Sequence, residues 1–312
     1  MTARQIILDC DPGHDDAVAI LFAAGHPGVD LVGITTVAGN QTLDRTTHNA
    51  CVVCSVGGIE VPVHAGAARP LLRPLRTAAE IHGESGLDGP APIEPAVAPR
   101  AGHAVDWIID TVLAAPGDVS LVAVGPLTNL AMALRREPAV AEAVREVVIM
   151  GGSYTRGNTT PAAEFNILVD PEAASIVFEA PWPVTMVGLD VTHQALCTPE
   201  VQRGFAEMGT PAGDFIDGLM RFFRGNYAGV TGMADPPVHD PCAVAVLADP
   251  DTVEVVPATV QVETSGAFTS GMTVVDFKAP AGSRHRVATG LDAPRFWAAV
   301  HAAVAALPAP LS

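Results

Sequence analysis

The sequence predicts an α/β fold: an open, mainly parallel sheet with helices on both faces and an antiparallel edge. Three observations predict it. Apolar strand-like runs alternate with helix-like stretches for most of the 312 residues. The runs are nearly continuous in Val, Ile and Leu, as strands covered on both faces are. Late in the chain, "TVEVVPATVQVET" and "GMTVVDF" follow one another with no helix between them, which supplies the antiparallel edge. In order, "QIILDCD" (5–11) is the first strand, and "DDAVAILFAA" (15–24) the helix after it. "VDLVGITTV" (29–37) and the short "VPVHA" (61–65) are strands on either side of an amphipathic helix over 43–56. Further strands read at 119–124, 144–150 and 184–189, with helices at 105–114, 127–135 and 171–179. The alternation continues throughout, so residues 1–312 are expected to form a single domain, a Rossmann-like open sheet.

Composition narrows the function. A formal net charge of −17 and a single lysine, Lys278, exclude the electrostatic footprint of a nucleic-acid-binding protein. No apolar run is long and uninterrupted enough to span a bilayer, and the N-terminus lacks a charged-then-apolar signal pattern. A soluble, cytoplasmic protein acting on a small neutral or cationic partner is the expectation. The five cysteines, an odd number, do not suggest a disulfide framework. Cys51 and Cys54 form a C-x-x-C, but no second pair follows at zinc-site spacing. They share a face of the helix over 43–56, and a buried packing role is expected.

Two segments interrupt the pattern. "GLDGPAPIEPAVAPR" (86–100) is Pro-rich, but the same alternation resumes beyond it, so a lid is expected rather than a linker. Residues 221–238, ending in "DPPV", form a second such lid-like segment.

Ligands of open parallel sheets bind beyond the carboxyl ends of the strands, and the polar clusters lie there. Four aspartates, Asp9, Asp11, Asp15 and Asp16, fall within eight residues where the first strand meets its helix. Asn40 follows the second strand in "VAGNQT"; "VGPLTN" and "MGGS" follow later ones, and "VHDP" opens an apolar helix. Aspartates at a helix start often only cap it. A D-x-D-P-G-x-D-D string exceeds what capping requires, because crowded buried carboxylates repel unless a cation compensates. A hard divalent ion such as Ca²⁺ or Mg²⁺ meets that need, with Asp240 as a remote further carboxylate.

The string "DCDPGHDDA" resembles the N-terminal fingerprint of the nucleoside hydrolases, calcium-dependent enzymes that cleave the N-glycosidic bond of ribonucleosides. "IHGESGLDG", "GPLTNLA", "VVIMGGS", "GNTTPAAEFNILVDPEAA" and "VHDPCAVA" follow in the family's order, so the resemblance covers essentially the whole chain. It implies that Asp11, Asp16, Asp240 and the carbonyl of Val124 ligate calcium. It makes Asp11 the general base that takes a proton from water at the metal. Asp15 and Asn166 would bind the ribose 2′- and 3′-hydroxyls, and Asn158 and Glu164 the 5′-hydroxyl. Asn40 would stand in or just behind this shell, with Met150 under the sugar. His82 and His239 would serve the leaving base, the pair that marks the branch cleaving inosine, uridine or cytidine. His14, though inside the fingerprint, reads as structural. The family is commonly tetrameric or dimeric, so a homotetramer or homodimer is the implied assembly.

The chemistry suits the residues. Breaking a ribosyl C–N bond passes through an oxocarbenium-like state, favoured by an anionic surround, an activated water and protonation of the departing base. Two other classes compete. An aspartyl-phosphate phosphatase would use Asp9 as nucleophile, but needs a lysine nearer than Lys278. A non-catalytic ribose- or nucleoside-binding protein would keep the pocket without turnover.

Overall fold

A computed structural model describes residues 3–278, 280 and 282–312. Its strands are β1 (Arg4–Cys10), β2 (Val29–Thr36), β3 (Val63–Ala65), β4 (Val119–Ala123), β5 (Val147–Met150), β6 (Val184–Val187), β7 (Val253–Val262), β8 (Thr273–Asp276) and β9 (His285–Leu291). They form one sheet in the order β3-β2-β1-β4-β5-β6-β9-β7-β8. Neighbours from β3 through to β9 are parallel, while β7 runs antiparallel to both β9 and β8. The expected parallel sheet with an antiparallel edge is therefore present. Its first six positions reverse direction of winding beside β1, where β2 lies on one side and β4 on the other. Such a reversal leaves a crevice at the strand ends.

Side chains on β1 alternate between two cores, as strand geometry requires. Ile6, Leu8 and Cys10 join the helices His14–Gly25, Leu43–Gly57, Pro241–Ala248 and Ala293–Ala305 on one face. Ile7 joins Ala104–Ala114, Thr128–Arg136 and Pro171–Glu179 on the other. Each fully buried Leu, Ile or Phe contributes roughly 1.5–3 kcal/mol relative to exposure. The helix His14–Gly25 is buried over His14 to Ala23 on all sides, which is how a helix without a polar face must sit. That burial carries its two N-terminal carboxylates into the interior.

The helix after β2 runs Leu43–Gly57 and holds Cys51 and Cys54, both free and buried. Burial pushes their thiols up to about 11 and about 12, so they pack as apolar groups rather than react.

Two expectations need correction. Residues 221–238 are not one loop: the helix Pro211–Thr231 takes in more than half of them. Phe215, Ile216, Leu219, Met220, Phe223 and Tyr227 repeat along one buried face of it, so helical packing outweighs its glycines. Residues 86–100 carry no helix or strand, but none of them lines the main cavity, whose wall is instead built by 76–82. The chain is anchored just before this segment, where Asn49 Nδ2 donates to the carbonyls of Ser85 and Pro12, 2.9 Å each.

Candidate active site

The chain leaves β1 at Cys10 and turns through Asp11, Pro12 and Gly13 into the helix His14–Gly25. Asp16 closes that turn. Its carboxylate accepts from the N–H of Asp11 (3.1 Å) and of Gly13 (2.9 Å), which are otherwise unpaired at a helix start. Asn40, following β2, donates to Asp16 through Nδ2 (3.0 Å) and to Asp11 Oδ2 through its backbone N–H (2.6 Å). Asp240 stands at the head of Pro241–Ala248, brought in from far along the chain. One carboxylate oxygen from each of Asp15, Asp16 and Asp240 lies within 4.8 Å of the others. Asp11 is adjacent to this trio but not within it, and its Oδ1 is buried with no hydrogen-bond partner.

Four carboxylates thus share one buried space, and no Arg or Lys forms an ion pair with them among the described residues. Burial, with the charge of Asp16 next, holds Asp11 well above the usual carboxylate range and Asp15 at about 7. Burial also raises Asp16, and raises Asp240 well above its ordinary value with Asp15 adding to it. A divalent cation among them would relieve both costs. The unpaired Asp11 oxygen and the all-oxygen donor set fit a hard ion.

Glycines let two loops close on Asp11. A Cβ at Gly39 would stand 2.1 Å from Asp11 Oδ2, and one at Gly125 would stand 2.5 Å from Oδ1. Behind them, Asn129 ties three strands' ends together. Its Nδ2 donates to Asp9 Oδ1 (2.7 Å) and the Thr36 carbonyl (3.0 Å), and its Oδ1 accepts from Ala67 N–H (2.8 Å). Asp9 also accepts from Thr35 (2.5 Å) and does not line the cavity, so it cannot serve as an exposed phosphatase nucleophile.

A cavity of about 500 Å³ opens above the carboxylates. Asp15, Asn40, Val124, Met150, Asn158, Glu164, Asn166, His82, His239 and Asp240 all line it; Asp11 and Asp16 lie beneath. Asn166 Nδ2 donates to the carbonyls of Val124 (2.8 Å) and Met150 (3.1 Å), so the carbonyl read as a calcium ligand already holds one partner. Glu164 caps Phe165–Val169, accepting from the N–H groups of Asn166, Ile167 and Gly152, and burial raises its carboxyl. Asn158 Oδ1 accepts from Phe165 N–H (3.0 Å).

The histidines form two groups. His239 donates its backbone N–H to Asp15 Oδ2 (3.3 Å) and pairs through Nδ1 with Thr192 Oγ1 (2.7 Å). Burial, then the His193 ring, pushes its imidazole down to about 3, so it stands neutral. His82, on the short helix Ala79–His82, is likewise held well below its ordinary range by burial. His14 braces His82 from behind and does not line the cavity. Its Nδ1 meets His82 Nδ1 at 3.0 Å, its Nε2–H donates to the Asp88 carbonyl (2.8 Å), and its ring stacks on Phe223 at 5.1 Å. Phe223 and Tyr227, both facing the cavity, complete an aromatic wall with His82. Tyr227 lies in the segment 221–238 expected to set base preference, whereas no motif signals Phe223 or Thr192.

The profile of the family described as inosine-uridine preferring nucleoside hydrolase matches residues 6–298. The chain belongs to that family. The nucleoside hydrolase is 46% identical to the pyrimidine-specific ribonucleoside hydrolase RihB of Escherichia coli (strain K12) over 307 residues, 97% of this chain and 98% of the relative. Among solved structures it resembles a purine-preferring ribonucleoside hydrolase from Gardnerella vaginalis (TM-score 0.91, 34% identity, 97% and 98% of the two chains). It also resembles the plant nucleoside hydrolase PpNRh1 (TM-score 0.90, 30% identity, 96% and 98%). The protein is therefore a ribonucleoside hydrolase.

Proposed function

We propose that the enzyme hydrolyses the N-glycosidic bond of inosine-, uridine- and cytidine-class ribonucleosides in a calcium-dependent reaction, releasing ribose and free base. One observation carries the reading: four buried carboxylates share one space with no counter-ion among the described residues, and one of them, Asp11, keeps an oxygen that has no partner. Bound through Asp11, Asp16, Asp240 and the Val124 carbonyl, Ca²⁺ would lower the pKa of a water and fix it near the sugar. Asp11 Oδ1 takes the proton from the attacking water. Asp15 and Asn166 bind the 2′- and 3′-hydroxyls, Asn158 and Glu164 the 5′-hydroxyl, with Asn40 behind Asp11 and Met150 beneath the ring. This acidic surround favours the positive charge that develops on ribose as the C–N bond opens.

At the other end of the cavity, His82, Phe223 and Tyr227 hold the base. The resemblance implies that His239 serves the leaving base. As a neutral imidazole it acts by donating an Nε2–H hydrogen bond to the departing base, which stabilises the negative charge building there. Among the described residues no helix is long and apolar enough to cross a membrane. A homodimer or homotetramer in the cytoplasm is the inferred setting.

The test is a panel of ribonucleosides and their 2′-deoxy analogues, assayed with calcium and with chelator. Uridine, cytidine and inosine should release base only with calcium present. Deoxyuridine should fall roughly 5- to 150-fold in kcat/KM, since a buried site that loses a partner hydroxyl forfeits about 1–3 kcal/mol. Full activity in chelator would rule out the metal, and equal rates for uridine and deoxyuridine would rule out the assigned ribose contacts. Tight nucleoside binding with no base released would favour a binding protein.

A further inference from the structure

The structure assigns Thr192 as a positioning residue: its hydroxyl fixes His239 in the tautomer that carries its proton on Nε2 and presents a donor to the base. The inference rests on His239 assisting the leaving group, as proposed above, and extends that reading to a residue outside every recognised motif.

The assignment comes from accounting for protons. Thr192 ends the short helix Leu189–Thr192, which follows β6, and is fully buried. Its hydroxyl lies 2.7 Å from His239 Nδ1 and has no second partner among the described residues. A hydroxyl has one proton to give and two lone pairs to receive. If His239 donated from Nδ1, the Thr192 proton would be left buried with no acceptor, and an unmade buried hydrogen bond is costly. If Thr192 donates to Nδ1, its proton is satisfied and only lone pairs go unused. Nδ1 is then the bare nitrogen, and the ring's single proton sits on Nε2. His239 lines the cavity, and its Nε2 has no protein partner among the described residues.

A proton on Nδ1 as well as on Nε2 would orphan the buried Thr192 hydroxyl, so the contact itself calls for a ring with a single proton. An imidazolium would offer donors at both nitrogens; a neutral ring offers one, and Thr192 decides which. The backbone of His239 is held separately through its N–H to Asp15. Thr192 therefore controls the proton, while Asp15 and the chain control the position.

Thr192→Val keeps the branched shape and removes the hydroxyl; Thr192→Ser keeps the hydroxyl and removes the methyl. With calcium present, Thr192→Val should lower kcat on uridine by on the order of tenfold or more, with KM little changed. Its rate on p-nitrophenyl riboside, whose leaving group departs without such help, should stay within about twofold. Thr192→Ser should retain most of the uridine rate. Nitrogen-15 spectra of histidine-labelled enzyme, with His239→Ala identifying the signals, should show Nδ1 unprotonated in the wild type and a mixture of tautomers in Thr192→Val. Equal loss on both substrates, no loss on uridine, or a protonated Nδ1 in the wild type would each overturn the assignment. The wild-type spectrum decides even if Thr192→Val does not fold. His239→Ala keeps the two levels apart. A selective loss there with an inert Thr192→Val sinks only the role of Thr192, whereas no selective loss in His239→Ala sinks the reading beneath it.

Discussion

Asp11 has one carboxylate oxygen held by the Asn40 backbone and one held by nothing. That asymmetry suits the two roles proposed for it. Oδ2 sets the angle of the group, and Oδ1 is left for a cation or a proton. Asp11→Asn preserves the acceptor toward Asn40 but removes the charge and the basicity. Its kcat on uridine should fall ~10²–10⁴-fold, in line with loss of a general base. Its metal-free Tm should rise, because a buried charge facing Asp16 has been removed. Wild-type kcat in this variant would take Asp11 out of the reaction. Asp11 was legible in the sequence because a charge amid apolar residues needs a reason. Thr192 was not, since threonine is ordinary at a helix end and its partner lies 47 residues away. His14 is visible in its motif but reads there as structural, because nothing in its spacing announces His82, 68 residues on.

Among the elements, the loops after β2 and β4 matter most, and glycine is what lets them in. Gly125→Ala would drive a Cβ to 2.5 Å from Asp11 Oδ1 and 3.1 Å from Val37 Cγ1. The variant should lose about 1–3 kcal/mol of stability to overpacking. It should lose roughly 100-fold in kcat, since a displacement near 1 Å is enough to cost that much. Gly225→Ala makes the contrast. Gly225 lies inside the helix Pro211–Thr231, where an added Cβ would meet nothing within 4 Å, so alanine there should stabilise by about 0.5–1 kcal/mol. Denaturant midpoints and kcat for the two variants check both; an active Gly125→Ala would show that Asp11 has room to move. The strands and the early helices were legible because their periods are unambiguous, with Pro171–Glu179 matching residue for residue. Pro211–Thr231 was not, because Gly218, Gly225, Gly229 and the following "DPPV" speak for a loop until the buried stripe is counted.

Over the whole molecule, the buried carboxylates link folding to pH, and to any cation they bind. Asp9 and Asp15 have folded-state values of about 7, raised chiefly by burial from an ordinary value of 3.8. Carboxyls raised in this way bind protons more tightly folded than unfolded. Their contribution to stability is therefore present in mild acid and is lost as pH climbs from about 4 through about 7. The chelated protein should show a falling Tm across that interval. Calcium should restore stability at the alkaline end, by RT ln(1 + [L]/Kd), or about 2.7 kcal/mol at a hundredfold excess over Kd. A chelated protein equally stable at pH 5 and pH 8, with no shift on adding calcium, would contradict the linkage.

His239 reaches Asp15 across 224 residues of chain, and the intervening segment 86–100 belongs to no helix or strand. A break near residue 92 would put Asp11, Asp15 and Asp16 on one fragment, and Val124, Glu164, Asn166 and Asp240 on the other. Neither half could release a base by itself. Fused to two proteins of interest, the halves would form a proximity reporter whose signal is amplified by turnover.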